Sequence, residues 1–490
     1  MKKYSLVCLM VCLALSVTGA KADTSSMVAV GDSMMVLSDI ISKGLPVLYI
    51  QTVDGEEPTC DYVSAPAGCM GKTIANATKV PGRMIIYQHI GEIDSVLYDS
   101  GDYEKDVSGM TIKIRGNSSA YGTKKPYKIK LQKKKDLLFR GDEATYKDKD
   151  WLLLKYDYLL AMAGFKVNAM LDFPWTPNLH FVSVILNGKY KGLYMLCESV
   201  KRNPDCRINV DKNSGYIFEC DPYWWNEEVY VNSITAPSYN FTFKYPESDE
   251  ILPEQLEYIQ TVVTDYENSL NGPDYTDKID VVSFAAWCLG HDIEGTQDSG
   301  GANRYYSKYD DTETSKIQMV LLWDFDMAER AVAAWSNSHI KHFQSLFDNE
   351  NRTFVDEYVG LWRKMKKTFF STISQFLNSW CSSSEGRALD ASLELEGIAG
   401  GYTPTGVDEH LTDRIFWYNS RYRWLNRRID ALNPIGDTDI DGVVNISDVT
   451  YLVDVLLGGA RAYRYADDVD GDGSIGIQDL TTLIDMLLNS

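Results

Sequence analysis

The alternation of apolar and polar residues predicts a first part of the chain that is rich in β-strands. Strand-like runs, bounded by Gly, Pro and Asp, occupy residues 45–53, 84–87, 110–115, 127–131, 151–154, 181–196 and 215–219. The run 181–196 contains Asn187-Gly188 at its centre, which is typical of a tight hairpin turn. In the run 127–131 the lysines occupy one face and the apolar residues the other.

Helical periodicity dominates the later part of the chain. Apolar residues recur at helical spacing in residues 158–171, 253–272, 278–294, 353–380, 386–398, 407–432, 449–457 and 480–488. Between the helices, an apolar run that begins at Met319 predicts a buried strand ending on Asp324 and Asp326. Strands that come first and helices that follow indicate the α+β class.

Composition narrows the classes of function. The chain has 490 residues and 44% apolar content, which is enough for a large core and more than one domain. Its formal net charge of −21 argues against nucleic acid or an anionic membrane surface as a partner.

The N-terminus has the pattern of an export signal. Residues 1–22 combine Lys2 and Lys3, a short apolar stretch and a small-x-small site at Ala20 to Ala22. The apolar stretch is too short for a transmembrane anchor, so we expect a protein that is secreted, held at the cell surface or periplasmic. Of the nine cysteines, Cys60 and Cys69 flank a loop that a local disulfide could close.

Two groups of polar residues suit phosphoryl transfer. The spacing Asp298-x-x-x-x-Asn303 is that of a kinase catalytic loop, and Asp324-Phe-Asp326 occupies the place of the metal-binding Asp-Phe-Gly. A carboxylate can accept the proton of the attacked hydroxyl, while Asn and Asp oxygens hold Mg²⁺. The alternative is an ordinary Asp/Asn/Gly loop that leads into a core strand.

A small-residue turn joins two of the predicted strands. The turn 116–122 is rich in Gly and Ser, which lets backbone N–H groups approach a phosphate closely. A lysine on the return strand, such as Lys128, would then supply a positive charge. The alternative is a plain hairpin with a solvated basic face.

These motifs occur together in one order. They are Ile114-Arg-Gly-Asn-Ser-Ser119, Lys124-Lys-Pro-Tyr-Lys-Ile-Lys130, Asn187-Gly-Lys-Tyr-Lys-Gly-Leu-Tyr194, Asp298 to Tyr306 and Trp323-Asp-Phe-Asp326. In this order, over roughly residues 40–432, the chain resembles the CotH-type kinases, the spore-coat kinase family of bacteria.

The resemblance implies an atypical protein-kinase-like bilobal fold and ATP-dependent phosphorylation of Ser or Thr in a protein substrate, with Mg²⁺ or Mn²⁺. It implies that Asp298 is the catalytic base, that Asn303 and Asp324 hold the metal, and that Asp326 is a second candidate ligand.

The resemblance also implies a set of nucleotide-binding residues. The phosphate loop comprises Arg115, Gly116, Asn117 and Ser118. Either Lys125 or Lys128 is the phosphate lysine. Glu198 ends a strand, where it would face the nucleotide, partner the lysine or remain a surface carboxylate.

The C-terminus carries two loops with the oxygen-ligand spacing of calcium sites. The first offers Asp437, Asp439, Asp441, the carbonyl of Val443, Asn445 and Asp448. The second offers Asp468, Asp470, Asp472, Ser474 and Asp479, and a water replaces the ligand that Gly476 lacks. Residues 435–490 contain eleven Asp and two Arg, so the segment needs cations to fold.

The C-terminal segment resembles a type I dockerin, because each loop has Asp at its twelfth position and no entering helix of EF-hand type precedes it. That resemblance implies two Ca²⁺ ions and docking to a cohesin-like domain or to a surface of the same chain. The chain is thereby divided into a signal peptide (1–22), a β-rich N-terminal part (23–110), a CotH kinase-like domain (111–432) and a small all-α dockerin domain (435–490).

Two functions follow as hypotheses. The first is an exported kinase tethered by its dockerin. The second is a non-catalytic surface or scaffold protein that binds polysaccharide or protein and is anchored by the dockerin. The second is favoured by the 12% aromatic content, because aromatic faces suit sugar stacking.

Overall fold

The computed structural model describes residues 22–155, 157–236, 238–296, 302–336 and 340–489. Nearly all of the predicted signal peptide and the candidate base Asp298 therefore lie outside the described residues. Within the described residues the chain is a mixed α+β protein, with strands concentrated in the N-terminal part and helices in the C-terminal part. None of the described helices combines the length and apolar character that crossing a bilayer requires.

The strands match the predicted runs closely. They are β1 (Met27–Val30), β2 (Ser33–Val36), β3 (Val47–Thr52), β4 (Asp61–Ser64), β5 (Lys72–Ala75), β6 (Val80–Ile90), β7 (Ile93–Asp99), β8 (Met110–Ile114), β9 (Tyr127–Lys135), β10 (Asp148–Leu154), β11 (Leu179–Leu186), β12 (Lys189–Glu198), β13 (Tyr216–Asp221), β14 (Tyr230–Val231), β15 (Asn240–Tyr245), β16 (Arg304–Lys308) and β17 (Ile317–Met319). Each predicted strand run before residue 220 contains a strand, so the alternation of residues is confirmed as the signal that sets them.

The helices also follow the predicted periodicity. They are α1 (Leu37–Ile41), α2 (Glu143–Tyr146), α3 (Tyr158–Met170), α4 (Pro253–Ser269), α5 (Tyr275–Lys278), α6 (Val281–Glu294), α7 (Lys341–Phe347), α8 (Thr353–Lys366), α9 (Phe369–Cys381), α10 (Ser384–Gly400), α11 (Val407–Asp430), α12 (Ile446–Leu456) and α13 (Ile477–Asn489). The single helix expected over 353–380 is two helices, α8 and α9, and no Gly or Pro marks the break.

The chain divides into two compact units. Unit 1 comprises Met1–Ala163, Thr176–Arg207 and Ser374–Arg414, and unit 2 comprises Gly164–Trp175, Ile208–Ile373 and Ile415–Ser490.

Unit 1 is built on a sheet in which ten strands of the described chain take part. Its order is β10-β9-β8-β6-β3-β11-β12-β1-β2, with β7 added to β6. A further antiparallel pairing of β10 with β12 closes the first seven of these strands into a ring. Alternate residues such as Ile112, Ile129 and Trp151 point into the buried core, as the pleat of a strand requires. Strand β6, which precedes residue 110, pairs in this sheet with β8, which begins there. The boundary expected at residue 110 therefore falls within one sheet.

Unit 2 contains an antiparallel sheet of order β14-β15-β13-β16-β17 packed with helices. A buried polar chain fixes β16 at its start: Arg304 donates to the Nδ1 of His342 at 3.0 Å, and the Nε2 of His342 lies 2.7 Å from Glu267. Burial of these groups without such partners would cost several kcal/mol. The three side chains therefore favour one packing arrangement of β16 against the segments that carry Glu267 and His342.

The strand expected from Met319 to Asp326 is shorter than predicted. Strand β17 ends at Met319, and only Val320 adds a further backbone bond, to Tyr305. The N–H of Leu322 instead donates to the side chain of Asn168 at 2.7 Å, so the backbone leaves the sheet while remaining buried. Cys60 and Cys69 are free thiols in this structure.

Candidate functional site

The turn between β8 and β9 in unit 1 has the predicted strand-turn-strand form. Gly116 has φ of 89°, and a Cβ there would overlap the Ser119 hydroxyl, so the position requires glycine. Asn117 accepts a hydrogen bond from the Thr73 hydroxyl, and Ser118 begins a short 3₁₀ helix. The side-chain oxygen of Asn117 is thereby used within the turn, and a phosphate role for Arg115–Ser118 stays a prediction.

The two candidate phosphate lysines have different surroundings. The Nζ of Lys125 donates to the carbonyl of Ala120 and the hydroxyl of Tyr62, each at 2.7 Å, so it braces the turn itself. The Nζ of Lys128 lies 3.0 Å from Asp150 on the neighbouring strand β10. Lys125 is therefore committed to the turn, whereas Lys128 belongs to a cluster of charges.

That cluster centres on two buried carboxylates at the start of β10. Lys201 contacts Asp148 at 3.1 Å and Asp150 at 2.7 Å. Burial opposes ionisation of Asp150, but Lys128 and Lys201 outweigh it and hold the pKa of Asp150 below its usual range. The carboxylate is thus ionised at neutral pH, and Lys128 is held beside it.

Glu198 is fully buried at the end of β12, so it is not a surface carboxylate. It accepts hydrogen bonds from the Arg140 guanidinium at 2.9 Å and the Asn178 backbone N–H at 3.0 Å. Among the described residues its ion-pair partners are arginines, Arg140 and Arg207. The expected pairing of Glu198 with Lys125 or Lys128 is therefore not present in this structure.

In unit 2 the candidate metal ligands Asn303 and Asp324 come at the same end of one strand pair. Strand β16 begins directly after Asn303, and its antiparallel partner β17 leads through a buried segment to Asp324. Both residues adopt left-handed backbone, with φ of 63° and 66°, a region that Asn and Asp tolerate better than most residues. Each is half-buried.

The carboxylates beside Phe325 are held by aromatic packing. Phe325 and Trp323 are buried, and both contact the ring of Phe165, at centroid distances of 5.2 and 5.9 Å. Since these neighbours of Asp324 are fixed in the core, the position of Asp324 is fixed as well; one of its carboxylate oxygens is buried, and Asp326 is exposed. Oxygen ligands at a fixed edge suit a hard cation such as Mg²⁺.

A buried carboxylate positions the chain on either side of these residues. Asp292, near the end of α6, accepts hydrogen bonds from the backbone N–H of Ser336 at 2.6 Å and the hydroxyl of Tyr358 at 2.9 Å. Arg421 on α11 is also buried and donates to the main-chain carbonyls of Asp292 and Val332, each at 2.7 Å. The segment that leads to Asp298 and the segment that follows Asp326 are thus fastened to the same side chains.

None of the sequence motifs points to these positioning residues. The available signal was composition, because Asp292 and Glu294 are acids in a helix that is otherwise apolar. Both are buried, and Glu294 accepts a hydrogen bond from the hydroxyl of Tyr418 at 2.8 Å. Their tyrosine partners, Tyr358 and Tyr418, are more than 60 residues away in sequence, so periodicity alone does not reveal them.

The first acidic loop of the C-terminal segment gathers three of its predicted ligands. Carboxylate oxygens of Asp437, Asp439 and Asp441 lie within 4.8 Å of one another. Burial, and then repulsion from Asp448 and Asp439, raises the pKa of Asp437 to about 6. Such close carboxylates repel unless a cation lies between them, so their oxygen donors fit a Ca²⁺ ion.

The second loop repeats this arrangement with Asp468, Asp470 and Asp472, again within 4.8 Å. The twelfth residues of the two loops, Asp448 and Asp479, lie in the first turns of α12 and α13 and accept backbone N–H groups of their own loop. The remaining predicted ligands, Val443, Asn445 and Ser474, lie in the same loops.

The helices after the two acidic loops share one core. Leu452 on α12, Leu483 on α13 and Val469 are buried against each other. Residues 435–490 therefore form one packed module, which we call the two-loop module.

The sequence model described as CotH kinase protein matches residues 112–379, more than half of the chain. The match covers both strands of the β8–β9 turn, Asn303, Asp324 and Asp326, and it ends before the two acidic loops. No curated protein matches the chain.

His291 makes the stability of unit 2 sensitive to acid. Its ring is buried against Trp287, neither nitrogen has a hydrogen-bond partner among the described residues, and burial lowers its pKa to about 3. In the unfolded chain this histidine binds a proton near pH 6.5, whereas in the folded chain it stays neutral at that pH. The free energy of unfolding therefore falls as the pH decreases below 6.5. We expect a loss of about 2 kcal/mol between pH 7 and pH 5 from this residue.

Urea unfolding followed by tryptophan fluorescence at these two pH values measures the loss. His291→Leu should remove this part of the pH dependence and leave the remainder. An identical pH dependence in the wild type and the variant would show that the imidazole is not held neutral.

Gly164 on α3 provides a test of the packing behind Asp324. A Cβ at Gly164 would overlap the ring of Phe325. An alanine in a helix normally stabilises by about 1 kcal/mol relative to glycine, but here we expect Gly164→Ala to destabilise by roughly 1–3 kcal/mol through overpacking. Urea unfolding should show this loss, and Gly164→Ala with Phe325→Leu should recover most of it. A more stable single variant would contradict the packing.

Proposed function

The chain belongs to the CotH kinase protein family, and on that basis we propose that it is an exported, ATP-dependent protein Ser/Thr kinase with a calcium-dependent docking module. The observation that carries the kinase proposal is the placement of Asn303 and Asp324. Both present oxygen ligands from strained, left-handed backbone at one end of the β16–β17 pair, within the part of the chain that matches the family.

Each candidate residue has a chemical role in this proposal. When bound, Mg²⁺ or Mn²⁺ neutralises charge on the triphosphate and orients it. The Asn303 carbonyl oxygen and the Asp324 carboxylate are the ligands, and Asp326 is a second carboxylate beside them. Asp298 accepts the proton of the substrate Ser or Thr hydroxyl as its oxygen bonds to the γ-phosphorus and ADP leaves.

Asp292, Tyr358 and Arg421 support this chemistry as positioning residues. They fix the ends of the segments that carry Asp298 and follow Asp326, which matters because small displacements of a catalytic group reduce the rate steeply. In unit 1, we assign phosphate binding to the backbone N–H groups of Gly116, Asn117 and Ser118 and to the side chain of Arg115, whose own N–H donates to the carbonyl of Pro126. We assign the positive charge to Lys128 rather than to Lys125, because the Nζ of Lys125 already donates to a carbonyl of the turn.

The docking part of the proposal rests on the two-loop module. Each loop brings three carboxylates within 4.8 Å, and the helices that follow share one apolar core. We propose that each loop binds one Ca²⁺ ion and that the module docks to a cohesin-like domain or to a surface of this chain. Residues 1–22 are proposed to direct export.

The test is transfer of phosphate from ATP to a general protein acceptor and to the chain itself. Removal of a general base typically lowers the rate by about 10²–10⁴-fold, so Asp298→Asn should reduce transfer by that amount while the urea midpoint is unchanged. Asp311→Asn is the matched control, because Asp311 is an exposed carboxylate of the same unit.

Transfer that is equal in the wild type and in Asp298→Asn would contradict the role of Asp298. Absence of transfer in every variant, together with retention on insoluble glycans, would instead favour the non-catalytic scaffold.

A further inference from the structure

The segment between the two acidic loops contacts helix α8. We call residues 461–467 the inter-loop segment. Within it Tyr463, Ala466 and Asp467 are buried, although the neighbouring loops are largely exposed. This segment leads from the region after α12 into the second loop, and such a connection is normally solvated, so its burial indicates a specific contact surface.

The contact surface is one face of α8 and its N-terminal residue Arg352. Arg352, Asp356, Gly360 and Arg363 are spaced four, four and three residues apart, which places them along one side of a helix. Each of them contacts residues between Asn433 and Ala466.

Asp356 makes the central contact of this surface. Its buried carboxylate accepts the backbone N–H of Tyr465 at 3.0 Å and that of Ala466 at 2.7 Å. Two N–H groups that converge on one carboxylate form a directed, charge-assisted contact. The hydroxyl of Tyr463 accepts a hydrogen bond from the backbone N–H of Arg352 at 3.3 Å.

Gly360 makes room for the ring of Tyr465. A Cβ at Gly360 would overlap that ring, so glycine is needed in the middle of α8 even though it weakens a helix. The guanidinium of Arg363 donates to the carbonyl of Asn433, at the entrance of the first loop. Helix α8 thus contacts the inter-loop segment and the residue Asn433, which precedes the first loop.

The other side of α8 contacts the candidate catalytic part of unit 2. Tyr358, two residues after Asp356, donates its hydroxyl to Asp292 at 2.9 Å. Asp292 in turn fixes Ser336 and lies at the end of α6 that leads to Asp298. One short helix therefore connects the two-loop module to the positioning residues.

We propose that the two-loop module is an intramolecular brace, in which Ca²⁺ binding to its loops fastens the inter-loop segment to α8 and so steadies Asp292. The proposal rests on the calcium binding proposed above. Without a cation, the three carboxylates of each loop repel one another. The second loop begins at Asp468, directly after the inter-loop segment, so release of the loop frees the Tyr465 and Ala466 backbone from Asp356.

The experiment is hydrogen exchange of the full chain in excess Ca²⁺ and in excess chelator. In the wild type, Ca²⁺ should slow exchange of the amides of α8 and of the end of α6 by at least roughly tenfold. Calorimetry on the same sample counts the Ca²⁺ ions bound, so that binding and bracing are measured separately.

Two variants disturb the packing of Tyr465 on α8 without touching a calcium ligand. Gly360→Leu fills the space of the Tyr465 ring, and Tyr465→Ala removes the ring while leaving α8 unchanged. Both should bind Ca²⁺ yet show fast exchange of α8 in either condition. Lys364→Leu places the same new side chain at an exposed position of α8 and should behave as the wild type.

Each outcome decides a different statement. If Ca²⁺ binds but hydrogen exchange of the α8 amides is unchanged, the brace is contradicted and the calcium sites are supported. Protection in Gly360→Leu equal to that of the wild type would also overturn the brace. Absence of Ca²⁺ binding would overturn the brace and the calcium sites together, and the kinase proposal is tested independently through Asp298.

Discussion

The structure of unit 2 depends on one buried carboxylate in an apolar helix. Asp292 is almost completely removed from water, and burial raises its pKa even though Arg421 opposes the shift. A carboxylate in such a place costs several kcal/mol unless donors surround it. Its donors come from Ser336 and Tyr358, so two segments distant in sequence must meet at α6 when the unit folds.

The same requirement explains how irregular chain is held beside the candidate ligands. Of the described residues, 295–296 after α6 and 327–336 after Asp326 contain no helix or strand that could fix them by backbone hydrogen bonds. Their main-chain groups are held instead by Arg421, Asp292 and Glu294, whose own positions are set by helices. Asn303 and Asp324 can then keep left-handed backbone, because the surrounding packing offsets the strain.

Much of the fold could be predicted from local pattern. The strands of unit 1, the Asn187-Gly188 turn and most helix ranges follow directly from periodicity and turn residues. The ring of strands in unit 1 and the early end of β17 could not be predicted, because both depend on pairings between distant segments. Glu198 shows the same limit, since its partner Arg140 lies 58 residues earlier.

The same limit applies to the candidate site: residues of a local motif can be predicted from the sequence, and residues that act through distant contacts cannot. Motif spacing predicts Asn303 and Asp324 as ligands; one directly precedes β16 and the other follows β17, the antiparallel partner of β16. Spacing could not identify Tyr358 or Arg421, because each acts through a contact across more than 60 residues. The acidic loops could be predicted from the sequence, because all candidate ligands of one loop are close together in the chain. The contact of the inter-loop segment with Asp356 could not, because it spans more than 100 residues.

Calorimetry of ATP binding to the full chain, with and without Mg²⁺ or Mn²⁺, tests the central assignment most directly. Binding that requires the metal and disappears in Asp324→Asn is the expected result, because that substitution removes a charged ligand and keeps the shape of the side chain. Binding that needs no metal and is unchanged in Asp324→Asn, or no binding in any condition, would contradict a nucleotide–metal site at Asp324.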